Sequence, residues 1–161
     1  MIIVDANILL YAYNPASEQH VRCRAWLESA LNGSEQVGLP WQTILAFVRI
    51  ATNPRVFSKP LSSKEAVEIV DDWLGCPQAI LVSPADDYWA LLKTQLLEAQ
   101  VSGALVTDAA LASLAMEQGA TLCTTDRDFG RFRGLKLRSE RSGGDQQFHC
   151  KSCVRSIGWI R

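Results

Sequence analysis

The chain has 161 residues, of which 48% are hydrophobic and 20% charged, and its formal net charge is −1. This length fits one domain with a sizeable buried core. No apolar run approaches the roughly 20 residues that span a bilayer, and the first residues lack the pattern of a signal peptide, so we expect a cytoplasmic protein with no membrane partner. The acidic balance excludes a global positive field for nucleic acid, so RNA binding would need a local basic patch or a bound cation.

Short apolar strands alternate with amphipathic helices along the first 138 residues. The predicted strands are, in chain order, MIIV, QVGLP, AILV, ATLCT and LKL. The first predicted helix is entered through DANILLYAY, and the others run over residues 17–32, 40–51, 62–74 and 88–99 and up to Gly119. This alternation predicts a three-layer α/β/α fold with a central, mainly parallel sheet.

Two local signals refine this prediction. Ser62 and Glu65 have the spacing of a capping box at a helix start. Cys23 and Cys123 lie inside apolar segments, which indicates small buried hydrophobic side chains. The odd total of five cysteines gives no sign of a disulfide framework.

Aspartates follow the predicted strands at their carboxyl ends. Asp5 ends the first strand, Asp108 opens a helix after ALVT, and Asp126 and Asp128 follow ATLCT. In open parallel sheets, functional groups gather outside the carboxyl ends of the strands. Gathered carboxylates repel one another unless a positive charge lies between them, and hard oxygen ligands suit Mg²⁺ or Mn²⁺. The pattern therefore predicts that these aspartates form a metal site.

Simpler roles remain open for each aspartate. Asp108 and Asp126 have positions typical of helix caps, and Asp5 alone could start a turn. Three independent caps that all fall at carboxyl ends are less expected than one joint site. A phosphatase is a further alternative, but such domains usually carry an Asp-x-Asp motif after the first strand, where this chain has Asp5-Ala6-Asn7.

Three segments together resemble a known family: MIIVDANILLYAY, LPWQTILAFVRIATNPRVF and ALVTDAALASLAMEQGATLCTTDRDFGRF. They resemble the PIN-domain ribonucleases, specifically the VapC toxins of type II toxin–antitoxin systems. The resemblance covers residues 1–138 as a PIN-like nuclease domain and leaves residues 139–161 as a C-terminal tail, either disordered or non-native.

The resemblance implies a Mg²⁺-dependent endoribonuclease, with Mn²⁺ as a possible replacement. The family's acidic metal ligands match Asp5, Asp108 and Asp126, and Asp128 is a nearby auxiliary carboxylate, so all four are candidate catalytic residues. The implied partners are an RNA substrate, a VapB-like antitoxin and a second copy of the chain in a homodimer.

One position departs from the family pattern. Family members commonly carry a glutamate on the helix spanning QTILAFVRIA, where this chain has Ala46. The loss of one carboxylate leaves a second reading open, in which the chain is a degenerate PIN domain that binds RNA or a protein without cutting RNA.

Other polar residues are candidates for supporting roles. Asn7 or Thr107 could hydrogen-bond to a ligating carboxylate, although ordinary turn or cap chemistry explains both equally well. Arg49 could touch substrate or pair with Asp5. A local basic patch could contact phosphates, although surface arginines more often only face solvent; its members are Arg127, Arg131, Arg133, Lys136 and Arg138.

Aromatic side chains and the tail complete the candidates. The aromatics at helical spacing are predicted to be core rather than base-stacking residues; they are Trp41, Phe47, Phe57, Trp73 and Trp89. In the tail, His149, Cys150 and Cys153 resemble half a zinc site, but four ligands are needed, so we interpret the tail as a variable or non-native extension.

Overall fold

The computed structural model describes residues 1–138, which form five strands and six α-helices. The strands are β1 Ile2–Val4, β2 Val37–Pro40, β3 Ala79–Val82, β4 Thr121–Cys123 and β5 Lys136–Arg138. The helices are α1 Ala6–Ala12, α2 His20–Leu31, α3 Trp41–Ala51, α4 Ser63–Leu74, α5 Tyr88–Glu98 and α6 Leu105–Glu117, followed by a 3-10 helix at Arg127–Arg131. The predicted tail, with His149, Cys150 and Cys153, lies outside the described residues.

All five strands are parallel and lie in the order β3-β2-β1-β4-β5. The mainly parallel sheet predicted from the sequence is therefore confirmed. The chain runs outward from the central β1 through β2 to β3, and then returns to β4 on the opposite side of β1. The strand order thus reverses between β1 and β4, and open sheets of this kind place their functional crevice at the carboxyl ends of the strands on either side of that reversal.

The sheet is covered on both faces, as the predicted three-layer architecture requires. Side chains alternate along each strand, so that Ile2 and Val4 of β1 pack into a core with α1 to α4, whereas Ile3 packs into a second core with α6. Phe47 and Trp73 are buried in the first core, and Tyr13 packs against them. Four helices, α1 to α4, therefore cover one face of the sheet, and α5 and α6 cover the other.

Local hydrogen bonds explain where the helix boundaries differ from the prediction. The second helix begins at His20 rather than Ser17, because side chains in the preceding turn bond to the backbone: Asn14 accepts from Ala16 N–H at 3.2 Å and Ser17 from Gln19 N–H at 3.2 Å. Pro40 ends β2 and precedes the first helical residue of α3 instead of being that residue.

Other predicted features are confirmed. Ser62 N–H donates to Glu65 Oε2 at 2.7 Å and Glu65 N–H donates to Ser62 Oγ at 3.2 Å, which is the predicted capping box. Cys23 and Cys123 are both fully buried. No helix within residues 1–138 has the length and hydropathy needed to cross a bilayer.

The prediction that the aromatics are core residues is only partly right. Phe47 and Trp73 are fully buried and Phe57 is half-buried, but Trp41 is 51% exposed and Trp89 is 63% exposed. Trp41 is the first residue of α3 and Trp89 lies in the first turn of α5.

Candidate active site

Asp5 lies at the carboxyl end of the central strand. Because Val4 pairs with Cys123 across the parallel β1–β4 ladder, the residues that follow the two strands are neighbours, and Asp5 N–H donates to the Cys123 carbonyl at 3.0 Å. Asp5 is only 7% exposed. It occupies the residue before α1, where its side chain makes no N-cap hydrogen bond.

Thr124 connects two of the predicted aspartates. Its hydroxyl donates to Asp5 Oδ2 at 2.7 Å, and the same oxygen accepts a hydrogen bond from Asp126 N–H at 3.0 Å. The sequence reasoning missed Thr124, which was visible as a hydroxyl residue between the β4 strand and the Asp-x-Asp pair. The structure thus brings Asp5 and the Asp126 backbone together through one buried hydroxyl.

Asp126 and Asp128 organise the 3-10 helix. Asp126 Oδ1 accepts from Asp128 N–H at 2.8 Å, so the alternative that Asp126 caps this turn is confirmed. Asp128 Oδ1 accepts from Arg131 Nη2 at 3.1 Å. Asp126 is half-buried and Asp128 exposed. A capping bond uses one carboxylate oxygen of Asp126 and leaves the second oxygen for other chemistry.

Asp108 lies in the first turn of α6, three residues after the helix begins. Ala104 occupies the capping position and no side chain caps this helix, so the alternative that Asp108 is a cap is wrong. Burial raises the pKa of Asp108 to about 6, and repulsion by Asp5, Asp126 and Asp128 adds to this shift, while Arg131 opposes it. The four aspartates therefore act on one another electrostatically.

The pKa of Asp5 is raised as well. Burial is the main cause, with a further contribution from the negative charge of Asp126. The hydroxyl of Thr124 and the backbone amides of Asn7 and Ala6 oppose this rise because they stabilise the ionised form. A buried carboxylate that lies near a second carboxylate gains from an added positive charge.

The chemistry of the donors fits a divalent cation of the Mg²⁺ type, because all four groups are carboxylates and they repel one another. The positions of these side chains, in contrast, do not by themselves indicate a metal site. Within residues 1–138, no group of three or more His, Cys, Asp or Glu side chains stands in position to hold a metal ion. Metal binding by Asp5, Asp108 and Asp126 therefore stays a prediction.

The side chains of the predicted supporting residues make no hydrogen bond or ion pair with the four aspartates. Asn7 is half-buried and Thr107 exposed, and neither side chain hydrogen-bonds to an aspartate within residues 1–138; Thr124 makes the bond that was expected of them. Arg49 is exposed on α3 and forms no ion pair with Asp5. Ala46 is half-buried on the same helix.

The predicted basic patch is divided between different partners. Arg131 pairs with Asp128, whereas Arg138 Nη1 donates to Glu35 Oε2 at 2.9 Å. Arg127, Arg133 and Lys136 are exposed. Only part of the patch therefore lies in contact with the acidic cluster, which we define as Asp5, Asp108, Asp126 and Asp128.

Comparison with known proteins shows which family the chain resembles. The PIN domain family model matches residues 2–135. The chain is 45% identical over 136 residues to Ribonuclease VapC37 of Mycobacterium tuberculosis, an alignment that covers 84% of this chain and 94% of that protein. It is 36% identical over 143 residues to VapC ribonuclease Mb2897 of Mycobacterium bovis, with 89% of this chain and 97% of that protein covered.

Solved structures agree at the level of the fold. The VapBC2 complex of Rickettsia felis bound to a promoter DNA fragment contains a chain that matches with a TM-score of 0.61 at 19% identity, covering 86% of this chain and 98% of that one. The FitAcB structure from Neisseria gonorrhoeae matches with a TM-score of 0.60 at 18% identity, with 88% and 99% covered. By its sequence and its parallel five-stranded fold, this chain belongs to the PIN-domain family and, within it, to the VapC ribonucleases.

Proposed function

We propose that this protein is the toxin of a type II toxin–antitoxin pair and acts as a Mg²⁺-dependent endoribonuclease, with Mn²⁺ able to replace Mg²⁺. The observations that support the proposal most are the electrostatic repulsion of Asp108 by Asp5, Asp126 and Asp128, and the ribonuclease names of the similar proteins. The reaction is hydrolysis of an RNA phosphodiester.

Asp5, Asp108 and Asp126 would hold the cation. When bound, an ion of this type neutralises phosphate charge and lowers the pKa of a bound water. Thr124 holds Asp5 by donating to Oδ2, and the oriented carboxylate would help to hold the cation. Asp126 presents the oxygen that does not cap the 3-10 helix, and Asp128 or Asp126 would orient the water or accept its proton.

We propose an antitoxin of the VapB type as the protein partner, and a homodimer as the assembly. An apolar cavity of about 380 Å³ between α1 and the segment after α3 supports this part, because an antitoxin segment with apolar side chains would fill it. Its lining includes Leu10, Tyr13, Phe47, Phe57 and Leu61. The similar solved structures include a VapBC complex, which agrees with a partner of this kind.

A non-catalytic PIN domain is the second candidate function. Ala46 stands where family members commonly carry a glutamate, and the carboxylates of residues 1–138 are not arranged to hold a metal ion jointly. Both observations favour a domain that binds RNA or a protein without cleaving RNA.

Cleavage of structured RNA separates the two functions. The purified protein is incubated with RNA and Mg²⁺, with EDTA, and as the Asp5→Ala variant with Mg²⁺. The toxin proposal expects cleavage only in the first reaction. Binding without cleavage supports the non-catalytic domain, and cleavage that persists in EDTA or in the variant contradicts metal-dependent catalysis at this site.

A further inference from the structure

A second cavity, lined mainly by polar side chains, lies next to the acidic cluster. It has a volume of about 360 Å³, lies between the end of α5 and the segment around the 3-10 helix, and is lined by Gln95, Glu98, Ala99, Arg131 and Arg133. We call it the α5 cavity. Arg131 lines it and also donates to Asp128 Oδ1 at 3.1 Å. A ligand in the α5 cavity would therefore lie one side chain away from the proposed catalytic carboxylates.

Gln95 is the unusual residue of this cavity. It is only 5% exposed, yet its side-chain amide has no hydrogen-bond partner within residues 1–138. The Gln95 amide atoms are not among the fully enclosed polar atoms of residues 1–138 that lack a partner, so they stay open to a partner from outside the protein. Because this amide lines the α5 cavity, a polar ligand that enters the cavity can supply both a donor and an acceptor to it.

The charges of the α5 cavity favour an anionic ligand. Arg131 uses Nε and Nη2 on Asp128, at 3.0 and 3.1 Å, which leaves Nη1 for a further partner. Arg133 is exposed and forms no ion pair or hydrogen bond with another residue of 1–138. Guanidinium groups bind phosphates through paired N–H donors. Two arginines at an otherwise acidic edge are therefore suited to a phosphate.

Glu98 limits what else the ligand can be. Its carboxylate lines the same cavity and only accepts hydrogen bonds, so it would repel a free phosphate or sulfate that filled the space. A nucleotide avoids this conflict, because its phosphate can meet the arginines while the donor groups of its base meet the carboxylate. Bases in single-stranded RNA are commonly recognised through the hydrogen-bonding edges that they expose.

We propose that the α5 cavity binds one nucleotide of the RNA strand next to the scissile bond, with its phosphate against Arg131 and Arg133 and its base edge against Gln95 and Glu98. The proposal rests on the ribonuclease function proposed above and adds a binding position for the substrate. Because Arg131 contacts both the cavity and Asp128, the nucleotide would set the position of the strand relative to the acidic cluster.

Two variants and one matched control test this site. Arg133→Gln removes a phosphate contact from an exposed position, where folding is not at risk, and Gln95→Leu removes the amide while keeping a similar volume. Lys93→Gln is the control, because Lys93 is an exposed cation on the same helix that does not line the cavity. Arg131 is left unchanged because its replacement would also disturb Asp128.

Each protein is measured in two assays. Fluorescence anisotropy with a labelled single-stranded RNA in EDTA gives affinity and its salt dependence without cleavage, and cleavage in Mg²⁺ gives KM and kcat.

We expect Arg133→Gln to bind RNA about tenfold more weakly at low salt, with a salt slope smaller by roughly 0.7. Gln95→Leu is expected to bind roughly fivefold more weakly with an unchanged salt slope. In both variants KM rises and kcat stays near the wild-type value.

The outcomes separate this site from the proposed function. Wild-type protein that binds and cleaves RNA, with both variants matching Lys93→Gln, overturns the α5 cavity as a nucleotide site and leaves the ribonuclease function standing. Wild-type protein that neither binds nor cleaves RNA overturns both. Equal loss of affinity in Lys93→Gln and Arg133→Gln would show a general charge effect and also contradicts the site.

Discussion

The aromatic core and the acidic cluster each contain a buried polar group, but the surroundings of the two groups differ. In the core, Trp73 Nε1 donates to Tyr13 Oη at 3.0 Å, and the rings of Tyr13, Phe47 and Trp73 meet edge-to-face with centroids 4.7 to 5.7 Å apart. In the cluster, burial and mutual repulsion raise the pKa of Asp5 and Asp108. The aromatic core stabilises the fold. The acidic cluster lowers the free energy of unfolding because its carboxylates are buried or repel one another.

The largest effect on stability is expected from Trp73→Ala. The side chain is fully buried, so its removal leaves a cavity and deletes the hydrogen bond to Tyr13, and the free energy of unfolding should fall by about 3–5 kcal/mol. Denaturant unfolding measures this. Trp89→Ala is the control, since that side chain is 63% exposed and its loss should change stability by less than about 0.5 kcal/mol. Equal effects at the two positions would contradict the assigned core.

Asp5→Asn is expected to separate activity from stability. Loss of the carboxylate should lower Mg²⁺-dependent cleavage by about 100-fold or more, while the metal-free protein becomes more stable because a neutral isostere replaces a buried charge with a raised pKa. Cleavage assays and thermal melts with and without Mg²⁺ measure both effects. Mg²⁺ should raise the Tm of the wild type and not that of the variant.

The matched control for this variant is Asp71→Asn, which removes an exposed carboxylate on α4. It should leave cleavage, and the rise of Tm with Mg²⁺, as in the wild type. A variant Asp5→Asn that is less stable than the wild type without metal would contradict the electrostatic cost assigned to the acidic cluster.

Thr124→Val tests the hydroxyl that joins Asp5 to the Asp126 backbone. The isosteric change removes a donor to Asp5 Oδ2 and an acceptor for Asp126 N–H, so stability should fall by about 1–2 kcal/mol and cleavage by about tenfold. Thr124→Ser keeps the hydroxyl and should restore both. Failure of serine to restore cleavage would show that the methyl group, rather than the hydrogen bonds, is what matters.

The smallest expected effect is the pH dependence due to Asp108. Its pKa is raised from 3.8 to about 6 in the folded state, so the folded protein takes up this proton before the unfolded chain does. The metal-free protein should therefore gain stability from this group as the pH falls from about 7 to about 4. Because the side chain is partly exposed, solvent screening limits the gain to about 1 kcal/mol.

Asp108→Asn should remove this dependence. The difference in unfolding free energy between wild type and variant, measured without metal at pH 7.5 and at pH 4.5, should shrink at the lower pH. A constant difference would contradict the raised pKa of Asp108.

The main features of the fold, and the neighbouring positions of Asp5 and Asp126 at the carboxyl edge of the sheet, could be predicted from the sequence. Apolar runs of strand length fixed where Asp5 and Asp126 leave the sheet, and parallel pairing brings such exits to one edge. The start of α6 could not be predicted. The helix begins shortly after Gly103, whose φ of +60° is a backbone conformation that the pattern of apolar residues does not indicate.

Contacts between distant residues were also beyond prediction. The bond from Thr124 to Asp5 joins positions 119 residues apart, and the α5 cavity joins Gln95 to Arg133. Nothing in the local pattern distinguishes Gln95 from an ordinary polar residue on a helix.

The most direct measurement is a crystal structure of the protein with Mn²⁺, in which the anomalous signal locates the ion. We expect one Mn²⁺ at the β1–β4 reversal, within about 2.0–2.3 Å of carboxylate oxygens of Asp5, Asp108 and Asp126. A saturating Mn²⁺ concentration that leaves this edge without an ion, or an ion that does not touch Asp5, would contradict the assignment of the acidic cluster as a metal-dependent catalytic site.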